Sequence, residues 1–268
     1  MSGALAEAEA EADFGAQLRR WRGRRGLSQL ALALQAEVST RHLSWLETGK
    51  AAPSRAMVLR LAERLELPLR ERNGLLAAAG YAPLYRERPL ADAALAPARG
   101  ALQRLLAAHE PWPALAVDRH WNLVAHNRTV PLLLQVLPPE LRQPPVNVLR
   151  LSLHPQGLAP MIVNLGAWRT HVLQRLERQL ASNGDAGLAA LLAELKALPG
   201  PDPTHDDATD DVVVPLSLET PFGRLDFITT VTVFGAAHEV TLAEIAIETL
   251  LPADEATAER LRALAAAA

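Results

Sequence analysis

Between Phe14 and Gly80 the apolar residues recur at helical spacing, but helix-capping and helix-stopping residues cut the pattern again and again. Phe14, Leu18 and Trp21 share one face, and Gly26 stops that helix. Ser28 stands where an N-cap belongs, before Leu30, Ala31, Leu34 and Gln35. Ser39 caps a further short helix carrying Leu43 and Leu46, which Gly49 ends. Ser54, after Pro53, opens a helix with Val58, Leu61, Ala62 and Leu65, and a fifth run, Leu69 to Ala79, closes at Gly80. Isolated helices shorter than about 12–15 residues are marginal in water, so these must bury their faces against one another. A compact all-α domain of five helices over residues 14–80 follows.

Charge divides the chain the same way. Residues 14–90 hold fourteen Lys and Arg against six Asp and Glu, a net of +8. Residues 1–13 contribute −4 and residues 91–268 contribute −7, which conceals the asymmetry in an overall −3. A basic front on an acidic rear is what a polyanion-binding domain needs, although a solvated basic surface has the same composition. The chain has no Cys, which removes disulfides, thiolate metal sites and a catalytic thiol and fits a cytoplasmic location. No apolar run is long enough for a membrane helix, and the Ala/Glu-rich start has neither the basic nor the apolar stretch of a signal peptide.

Residues 1–13 are expected to be a disordered acidic arm. Residues 81–100, with Pro83, Pro89 and Pro97, are expected to be a linker. In 101–262 the pattern changes. Ala101–His109 is helical, and Ala114–Asp118 and Trp121–Ala125 are strands around a turn. Gly166–Ser182 and Asp185–Leu198 are longer helices, and Pro199–Asp211 is a polar loop. Val212–Glu219, Phe222–Phe234 and Ala243–Leu251 are strands, and 263–268 is an Ala-rich tail. Strands, then helices, then an antiparallel strand set give an α+β domain.

The densest signal is Gly26 to Lys50. Two short helices flank the tight connection Glu37-Val38, which is helix-turn-helix spacing. The second helix turns Thr40, Arg41, Ser44 and Trp45 outward and Leu43 and Leu46 inward. A helix entering the ~12 Å major groove needs such a face: donors and acceptors for base edges, and a ring for a thymine methyl. Trp45 as a packing residue against the fourth helix is the competing reading.

The stretch "GLSQLALALQAEVSTRHLSWLETGKAAPSRAMVLRLAERLELP" resembles the XRE (Cro-type phage-repressor) helix-turn-helix family, through Leu27, Ser28, Gln29, Ser39, Leu43, Leu46, Glu47, Gly49 and Pro53. "PWPALAVDRHWNLVAHNR" and "AEIAIETLLPADEAT" resemble the ligand-binding domain of MmyB-like transcription regulators, whose fold is PAS-like. The resemblance implies a transcription regulator with an all-α helix-turn-helix domain at 14–80 and a PAS-like α+β ligand-binding and dimerisation domain with an antiparallel sheet at 101–262. It implies Gln29 on a phosphate or outer base, base reading by Thr40, Arg41, Ser44 and Trp45, and phosphate contacts from His42, Lys50 and Arg55. It also implies an internal salt bridge between Arg22 and Glu47. The partners implied are double-stranded DNA, as an inverted-repeat operator, and a second copy of the chain. No cofactor or metal is implied, but a small apolar ligand such as a fatty acid is. Phe227 and Thr229 are expected on the pocket face and Trp121, His126 and Asn127 near its mouth. The same strand face reads equally as a filled core, and Asn127 as a helix N-cap.

Thr204-His205-Asp206-Asp207 with Asp210-Asp211 has metal-ligand chemistry but sits in a Pro-rich loop without a second His. Asp118, His120 and His126 lack a nucleophile elbow, and there is no phosphate-binding glycine loop. A hydrolase with an appended basic domain therefore has no convergent residue set. A helical protein-interaction adaptor indifferent to DNA sequence is the other alternative.

Overall fold

The computed structural model describes residues 13–201, 214–235 and 237–267. The acidic arm before Asp13 and the His205 cluster lie outside the described residues. The chain divides into two compact units at Arg88 and Pro89, within the stretch expected to be a linker.

The first unit has five helices: α1 (Phe14–Arg24), α2 (Gln29–Gln35), α3 (Thr40–Glu47), α4 (Arg55–Arg64) and α5 (Leu69–Ala78). Asp13, Ser28, Ser39 and Ser54 each accept a backbone N–H from the first turn of the helix that follows, at 3.1, 3.0, 3.1 and 3.2 Å. Each cap satisfies one of the four N–H groups a helix start leaves open. Gly26 and Gly49, at φ 65° and 68°, take the left-handed turn that ends a helix. Leu18, Trp21, Leu32, Leu43, Leu46, Leu61, Leu65, Leu75 and Leu76 form the dry centre.

One expectation fails inside this unit. The face of α2 expected from Leu30 and Leu34 is the outer one: they are 58 % and 71 % exposed, while Leu32, Ala33 and Ala36 are buried. A seven-residue helix that is apolar on all sides has no periodicity to choose a face, so its neighbours choose. Part of the expected linker is also fastened to the helices. Asn73 accepts from the backbone N–H of Leu84 and Tyr85, both at 3.0 Å, and donates to the Tyr85 carbonyl. The Tyr81 hydroxyl donates to the Pro53 carbonyl.

The second unit is a five-stranded antiparallel sheet with helices on it. Its elements are α6 (Ala96–Ala108), β1 (Ala114–Val117), β2 (Leu123–His126), α7 (Thr129–Leu134), α8 (Val148–Leu153), α9 (Leu165–Asn183), α10 (Ala186–Ala197), β3 (Leu216–Thr220), β4 (Gly223–Val233), α11 (Val240–Ala243), β5 (Ala246–Pro252) and α12 (Glu255–Ala266). The strand order is β2-β1-β5-β4-β3. The last strand thus enters the centre, pairing Leu115 with Glu248 on one side and Val231 with Glu248 on the other. On one face, Leu102 and Leu106 of α6 pack on Ala114, Ala116, Ile245 and Ile247. On the other, Trp168, Val172, Leu173 and Leu176 of α9 and Leu188, Leu191 and Leu195 of α10 join Leu216, Leu218, Leu225 and Phe227.

The apolar face expected along β4 is only half buried. Leu225 and Phe227 are covered, but Val231 and Val233 are exposed. The reason is tertiary: the helical layer of α9 and α10 packs with Leu225 and Phe227 but not with Val231 or Val233, and alternation in sequence cannot say where the covering layer stops.

Candidate DNA-binding face and apolar cavity

In the helical unit, α3 is held from behind by one carboxylate. The Glu47 side chain, 0 % exposed, accepts from Arg22 Nε at 2.6 Å and Nη2 at 3.0 Å, and from Gln29 Nε2 at 2.7 Å. Arg22 also donates to the Leu27 carbonyl, and Arg19 donates to the Glu47 carbonyl. Burial works to raise the Glu47 carboxyl, but the hydrogen bonds from Arg22 and Gln29 and the charges of Arg22 and Arg19 prevail and hold it below the usual carboxylate range. The Arg22–Glu47 pair is therefore present as an internal fork-to-fork bridge. Gln29 uses one amide hydrogen inside this network, a contact the sequence reading did not foresee.

With Glu47, Leu43 and Leu46 facing in, α3 presents Thr40, Arg41 and Trp45 outward, with Ser44 and His42 half-buried beside them. Trp45 is 38 % exposed, and the Arg41 guanidinium lies 4.5 Å from its ring centroid. Arg41 and Trp45, one turn apart, thus form a cation–π pair on the open surface, worth about 0.5–1 kcal/mol where exposed. Lys50 and Arg55 are exposed, the first after α3 and the second opening α4. Close approach of α1 to α3 rests on Gly15, where a Cβ would lie 2.7 and 2.8 Å from the carbonyl oxygens of Leu46 and Glu47. No apolar periodicity announces such a residue.

In the second unit a cavity of about 110 Å³ lies between the sheet and the segment carrying α7 and α8. Its wall is mostly apolar, with Leu115, Leu133, Leu149, Leu151, Leu218 and Leu250 among its residues. Of the five residues expected there, Thr229 lines it. The other four lie elsewhere, and each for a visible reason. Phe227 is fully buried in the core opposite Leu216. Trp121 is buried at a turn with φ 69°, its indole N–H donating to Gln179 at 2.8 Å and its ring under Arg175 at 4.3 Å. Asn127 caps no helix: it is buried, accepting from the Ala114 N–H and donating to the carbonyls of Leu106 and Trp112, and so ties α6 to β1. His126 is exposed, in an open polar depression with Glu110, Arg128 and Thr129.

The remaining polar groups have structural duties. Asp118 accepts from the N–H groups of His120 and Asn122 and so makes the β1–β2 turn. His120 meets Asp185, which caps α10. His171 stacks on Trp168 at 5.5 Å, and burial, then the charges of Arg175 and Arg178, hold its imidazole below its ordinary value. Among the described residues no cluster of His, Asp and Glu could hold a metal ion, and no helix is long and apolar enough to cross a membrane.

A basic helix-turn-helix unit and an α+β unit enclosing an apolar cavity define a DNA-binding transcription regulator with a ligand-sensing domain. Comparison with known families agrees: residues 13–75 match a helix-turn-helix domain, and residues 98–264 match the MmyB-like transcription regulator ligand binding domain. The second match spans more than half of the chain, and the chain belongs to that family. No curated protein matches it. Among solved structures, an RNA-binding light-oxygen-voltage receptor is similar at 15 % identity and a TM-score of 0.30, covering 99 % of this chain and 67 % of that one. A likeness that low carries no argument about function.

Proposed function

We propose that this regulator binds one DNA sequence through α3, as a homodimer on an inverted repeat, and that a small apolar or amphipathic ligand in the cavity sets its DNA affinity. The observation that carries the reading is the outward face of α3. Thr40, Arg41 and Trp45 are exposed there, with Ser44 half-buried beside them, while Glu47 is anchored from inside, and this supports base reading by that face. Arg55 supports a phosphate contact on physical grounds. A cation in the first turn of α4 is unfavourable beside the positive end of the helix, and a phosphate there answers both charges. One short helix covers only a few base pairs, so two copies related by a twofold axis would read half-sites about one DNA turn apart.

The ligand acts only if it favours one arrangement of the domains over another. The domain pair is that of a regulator, and we assign the chain no catalytic step. A cytoplasmic location goes with that reading. Footprinting on the chain's own upstream DNA against random DNA at fixed salt tests the reading. A protected inverted repeat with two half-sites is expected. Equal affinity for both DNAs would leave a protein-interaction adaptor in its place.

A further inference from the structure

The cavity wall says which end-group a ligand can carry. Twenty-one of the described residues line it, and among these Glu248 is the one ionisable side chain, while Ser152, Thr220 and Thr229 bring hydroxyls. Among the described residues no Lys, Arg or His lines it. Glu248 sits at the centre of the sheet, between Leu115 and Val231, on the side of β5 that also carries Leu250. One carboxylate oxygen accepts from Arg175 Nη1 at 2.5 Å. That cation is already committed twice, to Glu248 and to the face of Trp121 at 4.3 Å. The Trp168 indole N–H donates to the Ser152 hydroxyl at 2.7 Å, which leaves that hydroxyl its own proton to give. Thr220 is closed on itself, donating to the Gly223 carbonyl.

We infer that the cavity selects an apolar molecule with an uncharged, hydrogen-bond-donating end, such as an alcohol, over the carboxylate of the same chain length. The inference rests on the reading of the cavity as a ligand site. A donor end finds an acceptor in Glu248 and can be met by Ser152 or Thr229. A carboxylate end finds a like charge in the wall and, among the described residues, no cation but the Arg175 already held by Glu248. Two like charges a few ångströms apart in a partly dry site oppose binding by a factor of ten or more. Size sets the rest: a dry cavity of ~150 Å³ takes a benzene molecule, so the space here suits a group of about six carbons.

The test uses the full chain and three probes at pH 7.5: hexan-1-ol, its isomer methyl pentyl ether, which has no donor, and hexanoate. Affinities are read by ligand-observed NMR titration. The alcohol should bind about tenfold tighter than the ether, although the ether is the less water-loving of the two, and hexanoate should bind weakest. In Glu248→Gln the like charge is gone and Arg175 is released, so hexanoate should gain about tenfold while the ether changes little. An ether that matches or beats the alcohol, or hexanoate unmoved by Glu248→Gln, overturns the end-group inference and leaves the cavity a ligand site. If no probe binds, the ligand site itself falls, and the inference with it. Should Glu248→Gln not fold, the ranking of the three probes on the native chain decides alone.

Discussion

Glu47→Ala should loosen the whole recognition unit. The carboxylate is fully buried and takes three hydrogen bonds, two of them from one guanidinium. Removing one partner of a buried pair costs about 3–5 kcal/mol, because the other charge stays behind unpaired. Arg22 keeps a little solvent contact and its bond to the Leu27 carbonyl, which trims the loss to about 2–3 kcal/mol. For a domain of this size that lowers the midpoint of thermal unfolding by about 10–20 °C. Calorimetry of the full chain should show it in the transition of the helical unit. The double variant Arg22→Met/Glu47→Leu should recover most of the loss, since it leaves no charge inside. The same carboxyl sets an acid limit. Its folded value is depressed, so its contribution is complete above the ordinary carboxylate range and is lost as pH falls through the folded value. The native unit should therefore lose stability below about pH 4, and Glu47→Ala should lose less over that window. A loss under about 0.5 kcal/mol, or a double variant whose effect is the sum of the singles, would refute the account.

Three further outcomes follow from other residues. Arg41→Ala should weaken operator binding by about 1–3 kcal/mol and relax preference at one base pair, as read by competition with base-substituted sites; equal weakening on random DNA would make it a phosphate contact. Asn127→Leu should cost about 2–4 kcal/mol in urea unfolding of the second unit, since it strands the Ala114 N–H and the Trp112 carbonyl and removes a second donor from the Leu106 carbonyl, and an unchanged midpoint would show that water replaces it. Gly15→Ala should destabilise the helical unit by about 1–3 kcal/mol despite the ~1 kcal/mol helix preference for Ala, because the added methyl meets two backbone oxygens; a rise in stability would mean that α1 moves away freely.

The parts that were legible in the sequence are those written in local chemistry. Ser28, Ser39 and Ser54 cap the helices that follow them, and a cap depends only on the residues one turn ahead. The inward pair Leu43 and Leu46 and the outward Thr40 and Arg41 follow from helical period alone. The errors fall where a third element decides. Leu30 and Leu34 look outward because α3 and α4, not α2, choose which face is covered. Phe227 and Thr229 stand on the same side of one strand. The first is core and the second cavity wall, because the covering segment leaves space over only one of them.

By itself the sequence determined a helical, basic front unit with a recognition helix, and an antiparallel α+β unit behind it. Caps, stops, periodicity and charge act over distances of a few residues and survive in a linear reading. The tertiary structure alone decided the strand order that carries β5 into the centre of the sheet, and thereby places Glu248 in the wall of a cavity between the sheet and the segment carrying α7 and α8. It also decided that Asn127, a plausible cap by position, is a buried tie between α6 and β1. Such facts depend on which surfaces meet. A polar residue shows its purpose only when the groups that satisfy it, distant in sequence, are brought within hydrogen-bond reach.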